Sequence, residues 1–139
     1  MKFLVLNGPN LNLLGKREPG VYGTGTYAGL CAEIAAYAAA RRIRADIRQS
    51  NHEGVLIDEI QAADGVYDGI VINPGAYTHY SYAIYDALLA VRVPAVEVHI
   101  SDISRREAFR RTSVTAPACR GQIVGHGFRG YLEAMELLE

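Results

Sequence analysis

Five short aliphatic and β-branched runs, each followed by a stretch with helical periodicity, constrain this chain more than any other feature. The strand-like runs fall at residues 3–6, 43–48, 69–72, 95–99 and 122–124, and the helical stretches at 27–42, 55–63, 79–91, 105–110 and 130–138. Runs this short and this apolar suit strands buried on both faces. Strand and helix in strict alternation predict a parallel sheet covered by helices on each side. The helix at 27–42 sets Leu30, Ile34, Tyr37 and Ala38 on one side and closes with Arg41 and Arg42, which suit the negative end of its dipole.

Length and composition narrow the class further. The 139 residues read as one domain, 1–139, long enough to bury a substantial core. Half the residues are hydrophobic and the net charge is -1, which disfavours a nucleic-acid binder. No apolar run approaches the roughly 20 residues of a membrane span. Met1 leads straight into a strand without a signal-peptide pattern, so a cytoplasmic protein is expected. The two cysteines, Cys31 and Cys119, read as buried reduced thiols.

In a sheet of this kind ligands bind beyond the carboxyl ends of the strands. Polar clusters stand there: residues 7–22 after the first strand, 49–53 after the second, 73–79 after the third and 99–101 after the fourth. The first cluster, NGPNLNLLGKREPGVYG, strings amides, Arg17 and Tyr22 along a loop with little core-forming periodicity. A turn at Pro19-Gly20 brings guanidinium and phenol together. Half-ionising a phenol at pH 7 requires a drop of about three units, or about 4 kcal/mol. One cation at about 4 Å supplies roughly that much at an effective dielectric near 20. Burial opposes it, so Arg17 alone is marginal, and a bound water or second cation is needed beside it.

His99 ends the fourth strand in VEVHISD, with Glu97 two residues earlier on the same face. A carboxylate there fixes the imidazole tautomer, the arrangement of a general acid–base group with its orienter. Asn73 and His79 flank the turn NPGAYTH. Asp86 follows His79 by seven residues, about 10 Å along one helical face. That is a long reach for both to hold one small substrate, so if both are functional Asp86 is expected to serve a neighbouring subunit's site. The N–H groups of Ile100 and Ser101 can hold a carboxylate, and Arg110 can add a donor fork.

Other patterns lose on context. GHGFRG at 125–130 lies at the chain end, with no following strand or ribose-binding acid. The four histidines, His52, His79, His99 and His126, lack ligand spacing, so no metal is expected. There is no G-x-S-x-G elbow. Of the two lysines, Lys2 and Lys16, only Lys16 is a thin candidate for imine chemistry.

The segments LNGPNLNLLGKREPGVYG, RQSNHEG, INPGAYTH, EVHISDI and the run from Phe109 through APACRGQIVG to Tyr131 resemble the type II 3-dehydroquinate dehydratases, in order and over nearly the whole chain. The resemblance implies a flavodoxin-like α/β fold with a five-stranded parallel sheet, a homo-oligomer built as a dodecamer of trimers, and a hydro-lyase that needs no metal or cofactor. It implies 3-dehydroquinate as substrate, in the shikimate pathway or quinate breakdown. It also implies roles: Tyr22 as base, Arg17 as its activator, His99 as general acid, and Asn10 as the amide that holds a water near the developing enolate. Asn73, His79, Ile100, Ser101 and Arg110 match substrate contacts, and Asp86 a residue from the adjacent subunit. Asn10 comes from the resemblance alone. Gly15, Gly20, Gly23 and Gly25 bracket the Arg17–Tyr22 segment, which reads as a lid. Gly20 stands where the family often has a larger residue.

Two rivals are weighed. A phosphoacceptor signalling domain would want carboxylates at strand ends that here hold Asn7, Asn73 and His99. An inactive structural oligomer would have no need of Arg17, Tyr22 and His99 together.

Overall fold

Strand alternation sets the two faces of the sheet. The computed structural model describes residues 1–16, 20 and 25–139. Strand β1 (Lys2–Asn7) points Phe3 and Val5 to one face and Leu4 and Leu6 to the other, as the two-residue period of a strand requires. The remaining strands are β2 (Arg44–Gln49), β3 (Gly69–Asn73), β4 (Ala95–His99) and β5 (Gly121–Val124). All pair in parallel, in the order β2-β1-β3-β4-β5. That order is the flavodoxin-like one.

Among the described residues, four α-helices cover the sheet: α1 (Tyr27–Ala40), α2 (Glu53–Ala63), α3 (Tyr82–Ala90) and α4 (Arg129–Leu138). Leu30, Ile34 and Ala38 of α1 and Tyr131, Ala134, Met135 and Leu138 of α4 pack on the face that carries Phe3 and Val5. Leu56, Ile60 and Ala63 of α2 and Ile84, Ala87 and Leu88 of α3 cover the face with Leu4 and Leu6. None of these helices is long and apolar enough to cross a membrane. Cys31 and Cys119 are free but only half-buried, less enclosed than expected. Burial pushes the Cys119 thiol up to about 12, with the Glu97 charge adding to the effect.

Two expected helices are redrawn. The stretch 79–91 is a 3₁₀ turn (Gly75–His79) followed by α3. The Ser81 hydroxyl accepts the Ile84 N–H at 3.0 Å, so the helix starts after Ser81. His79 and Asp86 therefore share no helical face. The stretch 105–110 is not one helix but two 3₁₀ turns, Ile103–Arg105 and Ala108–Arg110. Asp102 caps the first through the Ser104 N–H at 3.0 Å, and extended backbone at Arg106 and Glu107 separates them.

The site's position follows from register. β1 lies between β2 and β3, and the chain reverses direction across the sheet there. Gln49, Asn7 and Asn73 stand side by side in one row at the carboxyl ends of these strands. Loops that leave this row face the same side, where a doubly wound sheet binds its ligand.

Candidate active site

The loops after β1 and β3 touch backbone to backbone. A Cβ at Gly8 would lie 2.5 Å from the Pro74 carbonyl oxygen, and one at Gly75 would lie 3.1 Å from Pro9. Gly75 also holds φ +60, a conformation that favours glycine. Glycine at both positions lets NGPN and NPGA close on each other, and the cavity opens beside them. Pro9, Asn10 and Leu11 line it from the first loop, and Asn73, Gly75, Ala76 and His79 from the third. The loop after β4 completes it with His99, Ile100, Ser101, Ile103, Arg106 and Arg110.

Asn73 is buried, and its amide orientation is set by its neighbours. Its Oδ1 accepts the Gly75 N–H at 3.1 Å, and its Nδ2 donates to the Tyr131 hydroxyl at 2.9 Å. Tyr131 in turn donates to Asn7 Oδ1 at 2.7 Å. His79 Nδ1 lies 2.8 Å from the Thr112 carbonyl. A carbonyl only accepts, so this nitrogen carries the hydrogen. Asn10 adopts the left-handed conformation, φ 68, which asparagine tolerates better than most residues.

His99 Nε2 lies 3.0 Å from Glu97 Oε2, and Glu97 is fully buried. The same Oε2 accepts from Ser113 Oγ and from Gln122 Nε2, each at 2.8 Å, and Oε1 accepts from Thr115 Oγ1. Thus four donors meet the roughly four lone-pair sites of a carboxylate. Burial pushes the Glu97 carboxyl up. Hydrogen bonding and charge from His99, with the Thr115 and Ser113 hydroxyls, outweigh burial and hold it below the usual range. An ionised Glu97 behind His99 is the arrangement expected from VEVHISD.

At the rim, Arg110 Nε lies 2.9 Å from Glu107 Oε2, and its guanidinium covers the Phe109 ring at 4.9 Å. Arg106 also lines the cavity, with Nε 3.7 Å from the same carboxylate. Two guanidinium groups at one wall suit an anionic ligand. Among the described residues no three His, Cys, Asp or Glu side chains converge as a metal site requires.

The structure therefore brings Asn10, Asn73, His79, His99, Ile100, Ser101 and Arg110 to one cavity, with Glu97 behind it. Asp86 is exposed on α3 and is not among the lining residues. Arg17, Tyr22 and most of the expected lid lie outside the described residues. Of the described phenols, burial pushes Tyr27 up to about 12 and Tyr131 higher still, so neither can serve as a base near neutrality. Sequence reasoning missed Arg106. It also missed Tyr131 behind Asn73 and the Ser113, Thr115 and Gln122 donors. These partners come from distant segments, and no local pattern announces them.

The family model described as dehydroquinase class II matches residues 1–139. A 3-dehydroquinate dehydratase of Clostridium acetobutylicum is 56% identical over 139 residues, covering 100% of this chain and 96% of its own. The type II dehydroquinase of Butyrivibrio crossotus superimposes with a TM-score of 0.98 at 55% identity, over 99% of this chain and 97% of that one. The Propionibacterium acnes type II dehydroquinase gives 0.95 at 42% identity, over 99% and 94%. The chain belongs to the class II dehydroquinase family.

Proposed function

We propose that residues 1–139 act as a single dehydroquinase domain, a hydro-lyase that removes water from 3-dehydroquinate to give 3-dehydroshikimate. The observation that carries this reading is His99, backed at 3.0 Å by the buried Glu97, facing a cavity shared with Asn10, Asn73 and Arg110. The family membership supports it.

A C–H next to a ketone is weakly acidic, so the first step needs a base and a stabilised enolate. Tyr22 as phenolate takes that proton, with Arg17 lowering the cost of its ionisation. The C–H electron pair moves toward the ketone oxygen. Asn10 and a water it holds stabilise the resulting oxyanion, a preorganised electrostatic role. The enolate then collapses, the C–O bond to the β-hydroxyl breaks, and His99 gives the leaving oxygen its proton. Water and a conjugated enone result. Asn73, His79, the Ile100 and Ser101 backbone and Arg110 hold the substrate's hydroxyls and carboxylate. Asp86, exposed on α3, reaches the site of an adjacent subunit in a trimer-based dodecamer. The work is done in the cytoplasm, without metal or cofactor.

The test is to mix purified protein with 3-dehydroquinate and follow the rise in ultraviolet absorbance of the conjugated product, with and without a chelator. Chelator-resistant turnover is expected. A folded, oligomeric sample with no turnover would replace this reading with that of a structural or binding protein.

A further inference from the structure

The motif RQSNHEG has no residue among those lining the cavity, and nothing in the mechanism above uses it. Its hydrogen bonds show what it holds. Gln49, the last residue of β2, points Nε2 at the Gly8 carbonyl at 3.1 Å, at Asn12 Oδ1 at 3.3 Å and at Asn51 Oδ1 at 3.1 Å. Asn51 Oδ1 also accepts the backbone N–H of Asn10 at 3.0 Å. On the other side, the Asn51 carbonyl accepts the Tyr77 hydroxyl at 2.8 Å, and Glu53 accepts the Ser81 hydroxyl at 2.6 Å. The loop after β2 therefore ties together the first-strand and third-strand loops, which form two walls of the cavity.

Asn10 most needs such support. Its left-handed conformation, φ 68, is one that L-residues other than asparagine rarely adopt, and it is exposed. Its carbonyl is held by the Leu13 N–H at 2.9 Å, and among the described residues its own N–H is held across the sheet end, by Asn51.

We propose that Asn51 is a positioning residue for the dehydration: its side-chain oxygen, braced by Gln49, holds the Asn10 backbone so that the Asn10 amide meets the developing enolate. This rests on the reading of Asn10 given above. The chemistry of the contact makes an asymmetric forecast. Both groups that converge on Asn51 Oδ1 are donors, Asn10 N–H and Gln49 Nε2. A carboxylate oxygen serves them equally well, whereas a methyl group or an isosteric leucine does not.

Two readouts on the intact oligomer test it. In steady-state kinetics, Asn51→Ala and Asn51→Leu should lower kcat between about tenfold and a hundredfold, the loss that follows a small misplacement of a reacting-centre contact. KM should stay within about twofold, because the interaction grows in the transition state. Asn51→Asp should restore kcat to near the wild-type value. The Asn10→Ala/Asn51→Ala double variant should be no slower than Asn10→Ala alone, since residues that act through one group are not additive. In parallel, amide hydrogen exchange of the peptide spanning residues 8–14 should quicken in Asn51→Ala and return to normal in Asn51→Asp. Unchanged exchange or unchanged kcat in Asn51→Ala would overturn the proposal, as would full additivity or an Asn51→Asp as slow as Asn51→Ala. Absence of wild-type turnover would instead sink the dehydratase reading, and the exchange data would still decide whether Asn51 holds Asn10.

Discussion

Glu97→Gln isolates charge from shape at the buried heart of the site. Three donors meet Glu97 Oε2, namely His99, Ser113 and Gln122, while Thr115 alone meets Oε1. A glutamine can set its oxygen toward the three and its NH₂ toward Thr115. Thr115 can accept it by turning its own hydroxyl to Thr78 Oγ1, 2.8 Å away. No partner is stranded and little volume changes, so the cost is electrostatic. All four charge-assisted bonds become neutral ones, the Thr115 bond with its direction reversed, each losing about 1 kcal/mol. The carboxylate's desolvation penalty disappears and offsets part of that sum. A net loss of about 1–3 kcal/mol near neutrality is expected.

The pH dependence gives the sharper signature. In the folded protein the Glu97 carboxyl titrates below its ordinary value of 4.5. Unfolding therefore takes up a proton in the interval between the two values. The stability that Glu97 contributes is complete above the unfolded value and is lost as pH falls through the folded one. Glutamine has no such dependence. Urea unfolding of both proteins at fixed protein concentration, from pH 7 downward, should show their stability difference shrinking below about pH 4.5. Turnover of Glu97→Gln should fall about 10²-fold or more, the range for a disabled acid–base group. Parallel stability curves, with a constant offset down to the lowest pH, would refute an ionised Glu97.

Two further substitutions probe other parts of the site. Tyr22→Phe should abolish product formation while leaving circular dichroism and oligomer size unchanged, and residual turnover near wild type would remove Tyr22 as the base. Tyr131→Phe removes the donor to Asn7 Oδ1 and the acceptor for Asn73 Nδ2, both buried. It should cost about 1–3 kcal/mol for each stranded group in urea unfolding and raise KM as Asn73 loses its fixed orientation.

Local signals in this chain are legible, and long-range ones are not. The unbroken apolar run 3–6 predicts a strand buried on both faces, and in β1 Phe3 and Val5 enter one core while Leu4 and Leu6 enter the other. Glu97 and His99 are legible as a pair because two residues along a strand always share a face. The hydroxyls and amide that keep Glu97 ionised lie 16, 18 and 25 residues away, at Ser113, Thr115 and Gln122. Tyr131 reaches Asn73 over 58 residues and Asn7 over 124. These contacts exist only once β4, β5 and α4 are packed. The start of α3 is a different kind of miss. Ser81 is a common N-cap residue, but the apolar pattern through 79–91 outweighs it in a periodic reading.

The same distinction explains why the cavity can be placed before its supports are known. Parallel strands in register must release their loops on one side. The row of Gln49, Asn7 and Asn73 makes three loops leave from one line. Polar residues just past each strand end are thereby forced together, whatever their separation in sequence. The register also separates the jobs of those loops. Those after β1, β3 and β4 enclose the cavity, while the one after β2, at the sheet edge, reaches it only through its neighbours. An edge loop that carries Gln49 and Asn51 and lines none of the cavity is well placed to hold the loops that do.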